Sequence, residues 1–190
     1  VAVNRLLEPK IKVKYSVNEE VERVEDIKNT RVKAVLERFG INEGIEIVSM
    51  ATMPHSAGLG GSSAFTVGLI NAVSRLHRGQ SQMIEDWKWV ADDASLVEIR
   101  DLEEPIGKQD QYATAFGGFN LITFKKGSLA INDWEIDDIK ITPLKVPEDF
   151  KDYLLFFYTG NGHKASEILG SYNFEGLEDM KILVDGFKLG

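Results

Sequence analysis

The segment Met53-Pro54-His55-Ser56-Ala57-Gly58-Leu59-Gly60-Gly61-Ser62-Ser63-Ala64 is the one glycine-dense stretch of the sequence. Gly58, Gly60 and Gly61 allow positive φ and let a backbone approach a ligand closely. A helical pattern follows at once, and a helix N-terminus turns unsatisfied N–H groups and a positive dipole end toward the preceding loop. Ser62 and Ser63 add hydroxyls that could reach a phosphate or its metal ion. The chemistry indicated is a cradle for nucleotide phosphates. Taken alone, the loop reads equally well as a glycine-rich helix start capped by Ser62 or Ser63. The common phosphate loop is excluded, because no Gly-Lys-Ser/Thr follows the glycines. The dinucleotide fingerprint fits badly, since Ser63 stands where its third glycine belongs.

Two carboxylates and a lysine lie downstream. Asp110 sits near the start of a short helical pattern, in Pro105-Ile106-Gly107-Lys108-Gln109-Asp110-Gln111. A carboxylate at a helix N-terminus with Lys108 two residues earlier is kept ionised, which suits a base or a cation partner. Glu98 falls late in a longer helical pattern. Taken singly, Asp110 reads as a first-turn acid on the helix dipole, Lys108 as a surface lysine, and Glu98 as one of a solvated acidic group with Asp92, Asp93, Asp101, Glu103 and Glu104. His55, His77 and His163 lack metal-ligand spacing and read as loop or surface histidines. Tyr158-Thr159-Gly160-Asn161-Gly162-His163-Lys164 reads as a strand-to-helix turn.

Positioning these groups requires the elements the patterning predicts. Lys10–Val17 alternates like a half-buried strand, and Gly44–Met53 gives a second strand. Val21–Phe39 has helical spacing with Gly40 as a stop. Ser62–His77 forms a helix with Phe65, Leu69, Val73 and Leu76 on one stripe. Ser81 caps a further helix to about Leu102, with Met83, Trp87, Val90, Ala94 and Val97 inward. A short helix spans Lys108–Phe116, then a strand Phe119–Lys125, a polar junction Lys145–Phe150, a buried strand Tyr153–Tyr158, and helices over Lys164–Leu169 and Leu177–Lys188. The absence of a regular βαβα rhythm predicts an α+β architecture.

The composition sets the outer limits. The 190 residues suffice for one domain, or one and a piece. Subtracting 30 acidic from 22 basic residues leaves −8, which argues against a basic nucleic-acid face. With 0 cysteines there is no disulfide framework, cysteine nucleophile or thiolate metal site. No apolar run approaches the ~20 residues of a membrane span, and Val1–Lys14 is no secretory signal. A cytoplasmic protein is expected.

The Pro54…Gly58-Leu59-Gly60-Gly61-Ser62-Ser63-Ala64 loop, together with Glu98 and the Pro105-Ile106-Gly107-Lys108-Gln109-Asp110-Gln111-Tyr112…Gly117-Gly118 block, resembles the GHMP small-molecule kinases. The Pro105–Tyr112 and Phe157–Leu169 blocks together resemble their heptose 7-phosphate branch in particular. The resemblance covers about Lys10 to Leu169. It implies a ribosomal protein S5 domain 2-like N-terminal domain over residues 1–147 and the start of a ferredoxin-like C-terminal domain over 148–190. It further implies that Pro54, Ser56, Ala57, Gly58, Leu59, Gly60, Gly61, Ser62, Ser63 and Ala64 wrap the ATP phosphates. Ser62 and Glu98 would hold Mg2+, and Asp110 would take the substrate hydroxyl proton, with Lys108 assisting on phosphate charge or sugar.

The implied reaction moves the γ-phosphoryl group of ATP to a sugar or sugar-phosphate hydroxyl, the anomeric hydroxyl of D-glycero-D-manno-heptose 7-phosphate first. A galactose- or fucose-type kinase, or a non-catalytic nucleotide- or sugar-binding homologue, is the alternative. No nucleic acid or membrane partner is expected, and a homodimer is allowed. Gly61 stands where the branch usually has serine, and His55 replaces a small residue or proline. Nothing before Lys10 matches the family's first motif, and its Gly-Ala-Gly-Gly third motif is not found before Gly190. The sequence is therefore expected to be the middle part of a kinase, or a kinase given without some of its parts.

Overall fold

The computed structural model describes residues 1–52, 58–78, 86–131 and 134–157. Strands β1 (Ala2–Arg5), β2 (Ile11–Lys14), β3 (Asn18–Val21) and β4 (Ile45–Val48) form a mixed sheet in the order β1-β4-β2-β3. β2 and β4 are parallel at its centre, with Ile11 opposite Ile45 and Val13 opposite Ile47. The period-two alternation puts these four side chains in the core, while Lys12 and Lys14 point away from it. β1 and β3 are antiparallel edges.

Helices α1 (Thr30–Phe39), α2 (Gly61–Arg78), α3 (Trp87–Ser95) and α4 (Gln109–Phe116) supply the rest of the core. Val32, Val35 and Leu36 of α1 meet Leu69, Ile70 and Val73 of α2, Val90 and Ala94 of α3, and Tyr112 of α4 in one buried cluster. A hairpin of β5 (Asn120–Ile131) and β6 (Trp134–Pro143) follows α4, with a register shift between Lys125 and Leu129. Mixed sheet, helical layer and separate hairpin make an α+β domain, as the patterning predicts.

Several elements differ from the sequence reading. The first helix starts at Thr30 instead of Val21. Val21 ends β3, and Val24 and Ile27 reach the core from a 3-10 turn and its exit. Three apolar residues spaced three apart imitate a helix, but Asn29 decides the start: its side chain accepts the Val32 N–H at 3.1 Å. β1 and β6 were not expected, because neither AVNR nor WEIDDIKITP has an apolar alternation strong enough to declare a strand.

The long helix beginning at Ser81 is replaced, over the described residues, by α3 capped by Asp86, whose side chain accepts the Trp89 N–H. Its last turns, Leu96–Asp101, widen into a π-helix. The expected buried strand Tyr153–Tyr158 is overturned for its described part: Phe150–Tyr153 is a 3-10 turn, and Leu154 to Phe157 are exposed. The expected helices Lys164–Leu169 and Leu177–Lys188 lie outside the described residues.

Candidate functional site

Three elements converge beside the glycine loop. The first is the start of α2. Gly58 and Gly60 have φ of 72° and 64°, a left-handed conformation that glycine adopts without strain. The Gly60 carbonyl accepts the Ala64 N–H at 2.9 Å and so begins the helix, whose first N–H groups face back along the loop. Leu59, Gly61, Ser62 and Ala64 are exposed there, and Ser63 is buried. Pro54, Ser56 and Ala57 lie outside the described residues.

The second element is the π-helical turn, which presents Glu98. This carboxylate is fully buried, not solvated. Val90, Ala94, Val97 and Glu98 fall at i, i+4, i+7 and i+8, the inward stripe of a helix, so the periodicity already carried the signal. A buried carboxylate needs donors on both oxygens. Oε1 accepts from the Thr66 hydroxyl at 2.7 Å and from Arg31 Nε at 3.2 Å. Oε2 accepts from the Ser63 hydroxyl at 2.8 Å and from Gln111 Nε2 at 2.5 Å. The hydroxyl that meets Glu98 is thus that of Ser63, one position past the Ser62 expected from the family pattern.

The third element is the first turn of α4. A Cβ built on Gly60 would lie 3.3 Å from both Cγ and Oδ2 of Asp110. The Asp110 carboxylate therefore rests against the backbone of the glycine loop, in space that only the missing side chain leaves open. Gln111, next in sequence, turns inward to Glu98, and its Oε1 is buried without a hydrogen-bond donor among the described residues. Lys108 is half-buried at the N-cap of α4, and its carbonyl accepts the Tyr112 N–H. Tyr112 donates from its hydroxyl to Asp92, tying α4 to α3.

Sequence reasoning did not single out Arg31, Thr66, Glu104 or Gln111 as parts of this site. Thr66 and Gln111 had weak signals: Thr66 lies one helical turn after Ser62 and Ser63, and Gln111 follows Asp110. Arg31 had none, being 67 residues from Glu98. Its Nη2 donates to both oxygens of Glu104 at 2.6 Å. The Glu104 N–H in turn donates to the Glu98 carbonyl at 3.0 Å, across a turn in which Glu103 takes a φ of 54°. Burial pushes the Glu104 carboxyl above its usual range against the pull of Arg31, and the Glu98 charge adds to the rise.

The donor set can be compared with the needs of Mg2+. No cluster of three acidic or histidine side chains is present among the described residues, so an all-protein cage for a metal is not formed there. Mg2+ instead favours one or two protein oxygens, with waters and phosphates completing an octahedron at ~2.1 Å, whose adjacent ligands stand about 2.9 Å apart. The 2.8 Å between Ser63 Oγ and Glu98 Oε2 matches such an edge once the hydroxyl proton turns away. Ser63 and Glu98 thus have the oxygen chemistry such an ion takes, with Glu98 held in this structure by four donors.

The chain is similar to known proteins in sequence and in fold. Residues 27–118 match the family described as GHMP kinases N terminal domain. A D-glycero-alpha-D-manno-heptose 7-phosphate kinase of Campylobacter jejuni is 34% identical over 97 residues, an overlap covering 46% of this chain and 26% of that protein. Among solved structures, a D-glycero-D-manno-heptose 1-phosphate kinase from Bacteriodes thetaiotaomicron superposes with a TM-score of 0.60 at 22% identity, over 77% of this chain and 47% of that one. The mevalonate kinase of Methanococcus jannaschii gives 0.51 at 20% identity, over 76% and 45%. The chain spans about a quarter of the curated relative and under half of each solved neighbour. These structural likenesses concern the fold alone. Over residues 27–118 the chain is thus similar in sequence to the GHMP kinase N-terminal domain, and over its described length it is similar in fold to two kinases of known structure.

Proposed function

We propose that the protein to which this chain belongs is a sugar-phosphate kinase. It would move the γ-phosphoryl group of ATP to a hydroxyl, first among candidates the anomeric hydroxyl of D-glycero-D-manno-heptose 7-phosphate. The observation that carries this reading is the seating of Asp110 against the Gly60 backbone, at the mouth of the helix that also holds Ser63 on Glu98. A base and a phosphate cradle then share one opening. In a 1-phosphate product the new bond joins phosphorus to the sugar oxygen, the bond from phosphorus to the bridging oxygen breaks, and ADP leaves with the electron pair.

Asp110 accepts the proton of the attacking hydroxyl in this scheme. Loop 58–64 and the first N–H groups of α2 hold the phosphates in line, and Lys108 offsets phosphate charge. Ser63 and Glu98, with Ser62 at the exposed edge, would hold Mg2+, which supplies neutralisation of the charge on the phosphate oxygens. Residues 1–147 would form the ATP-binding domain, and 148–190 the start of a second, ferredoxin-like domain.

The test uses the full-length protein with ATP, Mg2+ and a panel of sugars and sugar phosphates. ADP release with heptose 7-phosphate is the expected result. Binding of nucleotide without ADP release from any acceptor would instead indicate a binding homologue, and no binding at all would remove the assignment. Asp110→Asn is expected to abolish turnover while sparing ATP binding, because it removes the proton acceptor and keeps the shape. Full activity in that variant would reject Asp110 as the base.

A further inference from the structure

We infer that Glu104 is a positioning residue for the cation site, acting through Arg31 to leave Glu98 its negative charge. The inference rests on the kinase reading above. A buried Glu98 needs donors, and among the described residues the one cation that bonds to it is Arg31, which reaches Oε1 through Nε at 3.2 Å. A guanidinium spent wholly on Glu98 would neutralise it and repel an incoming metal ion. Arg31 is not spent on it: the shorter contacts run from Nη2 to the two Glu104 oxygens, at 2.6 Å each.

Two carboxylates against one guanidinium leave one net negative charge. Among the described residues, the side of Glu98 that faces Ser63, Oε2, receives the neutral donors Ser63 and Gln111 alone. The backbone bond from Glu104 N–H to the Glu98 carbonyl, at 3.0 Å, fixes the two acids to one another, so Arg31 is held between them. Outer groups of this kind commonly change metal affinity about 10- to 100-fold when removed.

The experiment titrates Mn2+ into the full-length protein with a non-hydrolysable ATP analogue at pH 8, reading free Mn2+ by electron paramagnetic resonance. Glu104→Gln, which keeps the size and removes the charge, should weaken Mn2+ binding about tenfold and raise the Mg2+ concentration for half-maximal rate more than it lowers kcat. Removing Arg31 as well, in Arg31→Met/Glu104→Gln, restores one net negative charge and should recover most of the affinity. A double variant weaker than Glu104→Gln alone would mark a merely structural contact and overturn the inference, as would unchanged Mn2+ affinity in Glu104→Gln. Should Glu104→Gln fail to fold, Glu104→Asp decides: with the charge kept, affinity should stay within about threefold, and a tenfold loss overturns the claim. Absence of Mn2+ binding by the unmodified protein with the analogue would instead overturn the kinase reading itself, and this inference with it.

Discussion

At the residue scale, the two serines at the start of α2 have different environments although they are neighbours in sequence. Ser63 is buried and donates to a buried carboxylate; Ser62 is exposed and offers its carbonyl to Thr66. Ser63→Ala should therefore cost about 1–3 kcal/mol in a denaturant melt, since it strips a donor from a buried charge. Ser62→Ala should stay within about 0.5 kcal/mol. Equal losses would show that the Ser63 contact contributes nothing particular.

Gly58 and Gly60 give a second contrast. Both have positive φ, so alanine at either strains the backbone by ~1 kcal/mol or more. Only at Gly60 would the new methyl press on Asp110; at Gly58 nothing among the described residues lies within 4 Å. Gly60→Ala should lower kcat at least about tenfold more than Gly58→Ala, because displacement of a reacting group is costly in rate. Similar kcat values for the two variants would separate Asp110 from the loop. The glycine run was visible in the sequence, but which glycine faces Asp110 was not, because that depends on where α4 packs.

At the element scale, α1 matters to the site because it delivers Arg31 from its first turn. Asn29 fixes that turn, so Asn29→Ala should destabilise the domain by about 1 kcal/mol. For a chain of this size that amounts to a fall in melting temperature of roughly 2–4 °C, measured by calorimetry. An unchanged melting temperature would mean the cap is not formed. The sequence reading placed this helix too early, since Val21, Val24 and Ile27 imitate its period while belonging to a strand end and a 3-10 turn. It likewise extended α3 as a regular helix, whereas residues 96–101 form a π turn whose exit bond runs from Leu102 N–H to the Val97 carbonyl. Local periodicity cannot separate a π turn from an α turn over so short a stretch, because both keep the same residues inward.

At the scale of the whole molecule, a ligand that binds only the folded protein raises its stability by mass action. ATP with Mg2+ at about 100 times Kd should add ~2.7 kcal/mol, seen as a dose-dependent rise in melting temperature. Glu98→Gln should reduce the part of that rise that depends on Mg2+, because the amide carries no charge for the ion. A rise indifferent to Mg2+ would remove Glu98 from the cation site. No helix among the described residues is long and apolar enough to cross a membrane.

Several local features of the candidate site were legible in the residues by themselves. A glycine loop before an amphipathic helix, an acid at the start of a short helix and an acid on an inward stripe are local patterns, governed by backbone freedom, dipoles and period. Their meeting was not legible. Contact between Gly60 and Asp110, and between Ser63 and Glu98, joins positions 50 and 35 residues apart. The burial of Glu98 could be inferred from its spacing, but its donors could not, because α1, α2 and α4 each contribute one or two. Only packing of the helices over the sheet decides which polar groups face one another, since a buried charge must be satisfied by whatever the tertiary neighbours bring.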